Sequence, residues 1–249
     1  MTRSSKSLII HMLDALSKKD IQSNSTLQSL EQLNRPITHL YSNKKEINTL
    51  VDIGCGRGGF AWTLGDAFNS TSIFGIDTNE SKLAIACERG ISTSNIDIEL
   101  EPLPYDDNYV DFVMAFGLFE HLTDYDHPLE EIHRVLRDDG WFWITVPNLG
   151  GWTNRLALLL GYQPRNVEVS SQKSVGILPF YDYNKPLGHV HAPTYRALVE
   201  LLEHHGFSIE IVTPLSPYQD SFAVKAVDAV LGRSPRFSRR VSILCRKQA

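Results

Sequence analysis

The chain has 249 residues, 42% of them apolar, with a formal net charge of −5. That length suits one large α/β domain with a modest appended piece, and the apolar share excludes wholesale disorder. The acidic balance gives no global attraction to nucleic acid or an anionic membrane, and the longest apolar run, Leu156 to Leu160, is far short of the roughly 20 residues a spanning helix needs.

Residues 1–46 read as a helical extension, with helices near Leu8–Lys18 and Leu27–Tyr41, the second bent or interrupted at Pro36. His11 and Asp14 interrupt any signal-peptide core, and Cys55, Cys87 and Cys245 are too scattered for a disulfide framework or a zinc site. A cytoplasmic protein is expected. Residues 47–249 read as the main domain.

From Leu50 short apolar strands alternate with helices. Leu50–Ile53 is a strand and Gly58–Phe68 a helix; Ser72–Ile76 is a second strand, followed by a helix over Glu80–Arg89 capped by Thr78 or Asn79 and ended at Gly90. Asn95–Leu100 is a weaker third strand, Val110–Phe116 a fourth. A helix over Leu129–Arg137 stops at Asp138-Asp139-Gly140, and Trp141–Val146 is a fifth strand. Residues 148–192, rich in Gly, Pro and aromatics, break the rhythm and read as an inserted cap. A helix from Thr194 to Gly206 and two last strands, Phe207–Val212 and Val241–Arg246, complete the domain. Continuous apolar strands between helices predict an α/β, Rossmann-like, seven-stranded, mostly parallel sheet with helices on both faces and an antiparallel last pair.

Val51-Asp52-Ile53-Gly54-Cys55-Gly56-Arg57-Gly58-Gly59 follows the first strand. Glycines let the backbone turn sharply and approach a ligand. Gly54, Gly56 and Gly59 spell the dinucleotide pattern G-x-G-x-x-G, whereas Asp52, Gly54, Gly56 and Gly58 spell D-x-G-x-G-x-G. Asp52 separates the two readings. A carboxylate there repels a pyrophosphate and attracts a ligand carrying an ammonium and a sulfonium. S-adenosyl-L-methionine is therefore favoured over a nicotinamide dinucleotide. The competing explanation is a structural turn capped by the acid.

On these residues the sequence resembles the class I S-adenosylmethionine-dependent methyltransferases, over most of residues 48–212, and within them the small-molecule branch that includes the ubiquinone and menaquinone methyltransferases. Four further segments follow in that family's order: Gly75-Ile76-Asp77-Thr78-Asn79, Asp97-Ile98 through Tyr105, Val110-Asp111-Phe112-Val113 through Glu120-His121-Leu122, and Glu131 through Gly140. The resemblance implies a donor site of Asp52, Gly54, Cys55, Gly56 and Gly58 from the loop. Asp77 and Thr78 lie at the ribose, Asp97 and Ile98 at adenine, and the backbone of Ala115 and Phe116 at the methionine ammonium. Asp77 has N-capping as its other role. Glu99 replaces Asp97 if that loop is two residues tighter.

Three histidines are candidates for acceptor chemistry. His121 exchanges a proton near neutral pH and stands as a general base, or merely packs the loop; His189 and His191 precede the Thr194 helix in the family's pattern. At i, i+2 the latter two would share a strand face, but no Cys or carboxylate pair completes a set and Pro193 signals a turn, so no metal is expected. Trp152, Tyr162, Phe180, Tyr181 and Tyr183 either shape an apolar acceptor pocket or form the cap's own core. Trp152–Gly161 is an amphipathic stretch with one basic residue, and Arg233–Arg240 an arginine-rich solvated loop.

The function expected is methyl transfer to an O, N or C atom of a small, aromatic or lipidic acceptor, with S-adenosyl-L-homocysteine as product. The oligomeric state is left open. No nucleic-acid substrate is expected, because Ala115-Phe116-Gly117-Leu118 stands where DNA amino-methylating enzymes carry an Asn/Asp-Pro-Pro-aromatic motif. A binding protein that has lost turnover and a nicotinamide oxidoreductase are the rival readings.

Overall fold

A computed structural model describes residues 32–43, 46–181, 185–216 and 222–248. The expected helix at Leu8–Lys18 and the aromatic Tyr183 lie outside them. In chain order the elements are α1 (Asn34–Ser42), β1 (Thr49–Ile53), α2 (Gly59–Phe68), β2 (Ser72–Asp77), α3 (Glu80–Glu88), β3 (Ser92–Asn95) and β4 (Val110–Phe116). A 3₁₀ turn follows at Phe119–His121, then α4 (Asp126–Val135), β5 (Leu136–Pro147), α5 (Trp152–Leu159), α6 (Tyr195–His204), β6 (Phe207–Leu215), α7 (Phe222–Val230) and β7 (Arg240–Lys247).

The seven strands form one sheet in the order β3-β2-β1-β4-β5-β7-β6. β1 through β5 pair in parallel, and β7 pairs antiparallel to both β5 and β6. The order reverses direction beside β1, where β2 lies on one side and β4 on the other. In an open α/β sheet that reversal opens a crevice beyond the strands' carboxyl ends.

Side-chain alternation along each strand builds two cores. Val51, Val113, Ala115, Phe142 and Ile144 face one way and pack with Leu129 and Ile132 of α4 and Leu198 and Leu202 of α6. Leu50, Phe112, Met114, Trp141 and Trp143 face the other way, with Ala61, Leu64 and Phe68 of α2 and Ile37 and Leu40 of α1. Strands covered on both faces must be apolar at every position, which explains the unbroken run Trp141–Ile144. Truncating a fully buried ring such as Phe142 to Ala costs about 3–5 kcal/mol. Trp143 buries its indole by donating Nε1–H to Ser242 Oγ at 2.6 Å.

Several boundaries differ from expectation for local reasons. Pro36 sits in the first turn of α1, where its missing N–H costs nothing, so it starts the helix instead of bending it. The third strand is Ser92–Asn95, earlier than expected, because Ile98–Leu100 curl into a turn in which the Leu100 and Glu101 amides donate to the Asp97 carbonyl. α4 starts at Asp126, three residues early. The stop at Asp138-Asp139-Gly140 is a left-handed residue, Asp139 at φ 63°, within a long β5. Sequence patterning gave no sign of α7 at Phe222–Val230.

Candidate active site

β1 is followed by three glycines in the left-handed region: Gly54 (φ 74°), Gly56 (φ 54°) and Gly58 (φ 73°). Gly59 is the first residue of α2 and Gly58 its N-cap. The backbone thus selects the D-x-G-x-G-x-G pattern; in the dinucleotide reading Gly59 would be the third special glycine. The Gly54 and Cys55 amides donate to the Ile76 carbonyl at 2.7 and 2.9 Å, tying the loop to the end of β2. A Cβ on Gly58 would lie 2.3 Å from Ile91 Cδ1, so that glycine is needed for packing. A Cβ on Gly56 would meet nothing within 4 Å: the tip of the loop borders open space.

Two acids flank this space. Asp52, on the α2 side of β1, is 4% exposed. Burial pushes its carboxyl well up and the negative charge of Asp77 adds to this, while the Ala61 N–H in the first turn of α2 works the other way. Asp52 therefore does serve that helix start. Asp77 closes β2 and is half-buried, with Oδ2 accepting from the Gly56 N–H and Oδ1 from the Asn79 N–H, each at 2.9 Å. It is not the cap of α3: Asn79 is, accepting from the Lys82 N–H at 3.1 Å. Thr78 stands exposed between them. Burial first, then Asp52 and Asp77, raises the Cys55 thiol to about 12, so it stays neutral and unreactive.

The turn after β3 brings Asp97 and the buried Ile98 to the same edge. Asp97 Oδ1 accepts from the Glu99 N–H at 3.1 Å. Glu99 is committed elsewhere, to the Thr123 hydroxyl at 2.6 Å and the Thr123 and Asp124 amides. Burial lifts its carboxyl, yet these bonds outweigh that and hold it below the ordinary value. Glu99 is thus taken up by the Thr123 turn, while the Asp97 carboxylate keeps a local contact to the Glu99 N–H. Ala115 and Phe116 overhang β1, whose last pair with β4 is Asp52–Met114. The Phe116 ring is taken up edge-on by Phe60 and Trp143, so any contact to a ligand falls to the backbone.

Beyond β4 the loop turns back on the first: an added Cβ on Gly54 would lie 3.2 Å from Leu118. His121 Nδ1 sits 2.8 Å from the Gly188 carbonyl, and its ring is 5.2 Å from that of His189. A carbonyl only accepts, so Nδ1 carries the proton and Nε2 offers the lone pair. His189 and His191 part company: His189 is buried toward His121 and Glu120, while exposed His191 places Nε2 2.9 Å from the Thr123 carbonyl. The expected common face does not form, because the segment is coil and not strand.

Sequence reading assigned no role to Glu168 and Arg240 of this cluster, and gave Glu120 only its place in the Glu120-His121 pair. Glu120, buried under the loop, binds Arg240 through Oε1 at 3.1 Å, and its carbonyl takes the Val190 N–H at 2.8 Å. Glu168 gathers the amides of Leu187, Gly188 and His189 onto its carboxylate, at 2.5, 2.8 and 3.1 Å, and so fixes the loop that presents His189. Arg240 was hidden in the arginine-rich segment, where Arg233 and Arg236 are exposed as in a solvated loop and Arg239 and Arg240 turn inward. Arg239 is buried against Asp228, Arg240 turns to Glu120, and Arg236 lines a cavity of about 320 Å³ with Arg155 and Arg196. Glu168 carried no signal in the sequence at all.

Trp152 and the pair Phe180–Tyr181 are engaged with different partners. Trp152 donates Nε1–H to Asp228 at 2.7 Å, and Phe180 pairs with Tyr181, over which Arg165 lies. The amphipathic α5 ends in exposed Leu158, Leu159 and Leu160. Among the described residues no helix is long and apolar enough to cross a membrane.

A parallel sheet with one antiparallel strand, β7, and a glycine turn between two acids at its switch point, defines a nucleoside-binding α/β domain. Residues 51–144 match the family model described as a methyltransferase domain. Over that segment, less than half of its length, the chain is similar to methyltransferases. It is 33% identical over 151 residues to the mitochondrial arginine-hydroxylase NDUFAF5 of Mus musculus, covering 61% of this chain and 43% of that one. It is 32% identical over 103 residues to the demethylmenaquinone methyltransferase of Staphylococcus epidermidis, covering 39% and 42%. Its fold is similar to a solved S-adenosylmethionine-dependent methyltransferase from Mesorhizobium loti, with a TM-score of 0.57 at 16% identity, covering 87% of this chain and 98% of that one. The chain spans less than half the length of either curated relative.

Proposed function

We propose that the chain is a methyltransferase that takes the methyl group of S-adenosyl-L-methionine to an O, N or C atom of a small-molecule acceptor and leaves S-adenosyl-L-homocysteine. The observation that carries this reading is Gly56: a left-handed residue with open space beyond it, between the carboxylates of Asp52 and Asp77. The fit to the donor is chemical as well as spatial. Asp77, at a strand end, presents two oxygens to a ribose diol, and Asp52 supplies negative charge for a cationic ligand. Asp97 and the Ile98 amide suit an adenine edge, with Gly54, Cys55, Gly58 and Thr78 shaping the cradle. Ala115 and Phe116 offer main-chain groups beyond the end of β1.

When bound, the donor supplies a sulfonium that is its own leaving group, so the protein's share is alignment and the removal of an acceptor proton. His121 suits that second task, because Gly188 holds its proton on Nδ1 and leaves Nε2 bare. The sequence likeness to demethylmenaquinone methyltransferase supports an apolar, aromatic acceptor. Free Cys55, Cys87 and Cys245 fit a reducing compartment, and we take the chain to be cytoplasmic. A second reading comes from the likeness to the arginine-hydroxylase, which favours a protein side chain as acceptor.

The test is calorimetric titration with S-adenosyl-L-homocysteine, followed by incubation with methyl-labelled donor and a fractionated extract. Label in a metabolite fraction supports the proposal, and label in protein favours the second reading. Donor binding with no labelled product would instead make the chain a binding protein.

A further inference from the structure

We propose that Glu120, His121 and His189 form a binding site for one divalent transition-metal ion, beside the donor loop and distinct from it. One ligand atom from each of the three lies within 4.8 Å of the other two. Two groups aimed into this space are buried and unsatisfied. Glu120 is 2% exposed and His189 8%, and neither Glu120 Oε2 nor His189 Nδ1 has a hydrogen-bond partner. Orphaned buried acceptors are costly, about 1–3 kcal/mol each, and a native fold keeps them when something else fills the role. Ligand distances of about 2.0–2.2 Å put two donor atoms of one ion at most about 4.4 Å apart, so the three side chains, within 4.8 Å of one another, would draw in around it by small rotations.

The support around the three ligands is also that of a metal site. His121 donates Nδ1–H to the Gly188 carbonyl, the second contact that commonly orients a ligating imidazole and fixes its tautomer. Glu168 clamps the amides on either side of the same turn, including that of His189. Arg240 occupies Oε1 of Glu120 and leaves Oε2 to the histidines. Two imidazoles and one carboxylate favour zinc, iron or cobalt over magnesium or calcium, which prefer oxygen donors. With the ion bound, His121 Nε2 is a ligand and no longer the base, and the three protein ligands leave coordination positions open for water or an acceptor oxygen. His191 takes no part, since its Nε2 is spent on Thr123. The proposed site departs from the expectation that no metal is bound: the groups beside His189 are Glu120 and His121, almost 70 residues away in sequence and not the neighbouring His191.

The experiment is titration of the chelator-stripped full chain with Co²⁺, followed by its visible absorption, then displacement with Zn²⁺. Saturation at one equivalent is expected, with affinity reduced about tenfold or more in His121→Ala and His189→Ala and unchanged in His191→Ala. Binding of S-adenosyl-L-homocysteine, measured separately on each variant, reports folding and keeps this proposal apart from the donor-site reading. Should the variants not fold, histidine ring nitrogen shifts of the wild type on adding Zn²⁺ decide the matter: movement of two rings supports the site. Absence of saturable binding, wild-type affinity in both histidine variants, or unmoved ring nitrogens overturns it.

Discussion

Asp77 Oδ2 accepts the Gly56 N–H at 2.9 Å, so the acid ending the second strand holds the tip of the loop that leaves the first. The same carboxylate serves loop geometry and ligand contact. Asp77→Ala is therefore expected to weaken S-adenosylhomocysteine binding about 10- to 100-fold, the loss of charge-assisted hydrogen bonds worth roughly 1.5–3 kcal/mol. It should also lower Tm by several degrees, since the Gly56 and Asn79 amides lose their acceptor. Calorimetry and a thermal scan on the same sample read both. Unchanged affinity would place the donor elsewhere.

Asp52 predicts a conflict between stability and binding. Its folded pKa is raised by burial and by Asp77, so the folded chain holds that proton more tightly than the unfolded chain. The resulting stability is complete below the ordinary carboxylate value and is lost as pH rises through the higher folded value. At neutral pH the ligand-free protein thus bears a destabilising group. Asp52→Asn should raise its Tm, by about 2–4 °C for each kcal/mol relieved, with the gain vanishing below pH 4. The same change should weaken donor binding. In the wild type, a cationic ligand should favour the ionised Asp52, so donor affinity should rise with pH through the range in which that carboxyl titrates, as read by calorimetry at several pH values.

Two glycines of the loop should fail differently. Gly58→Ala combines a left-handed φ of 73° with a Cβ 2.3 Å from Ile91 Cδ1 and 3.1 Å from Ala86 Cβ. Strain and overpacking add, and a loss of about 2–4 kcal/mol in denaturant unfolding is expected. Gly56→Ala meets open space and bears only the backbone cost of about 1–2 kcal/mol, but puts a methyl group into the cradle. Its main effect should be on ligand affinity.

Glu131 and Arg134 predict the acid limit. Arg134 binds Glu131 and reaches the Tyr105 and Leu103 carbonyls at 2.8 and 2.9 Å, while Glu131 takes the Leu103 N–H at 2.7 Å. The bond to Arg134 is the chief reason the Glu131 carboxyl lies below its ordinary value near 4.5. A depressed folded pKa gives stability that is present above the ordinary value and lost as pH falls through the folded one. Arg134→Met should lower Tm at pH 7 and flatten its fall below pH 5, as followed by circular dichroism.

How far the sequence could be read follows from which interactions were local. Strands such as Trp141–Ile144 announce themselves because both faces are buried, and the acid-glycine loop because only glycine accepts three left-handed turns in five residues. The boundary of β3 was missed because Ser92–Asn95 has no apolar signature and pairs on an edge. The histidine cluster was illegible for another reason. Its partners meet only when β7 delivers Arg240 and the segment after β5 delivers Glu168 and His189, contacts that no spacing rule encodes. The cap aromatics misled because composition cannot show that Trp152 turns to Asp228.

The interior position of β7, between β5 and β6, has a consequence for biogenesis. Of the strands it leaves the ribosome last, yet both neighbours wait for it. Until then β5 presents a bare edge and β6 has no ladder to join, a state open to mispairing with other nascent chains. Arg240 arrives on that same strand, so the loop bearing Glu120 and His121 is locked only once β7 has paired.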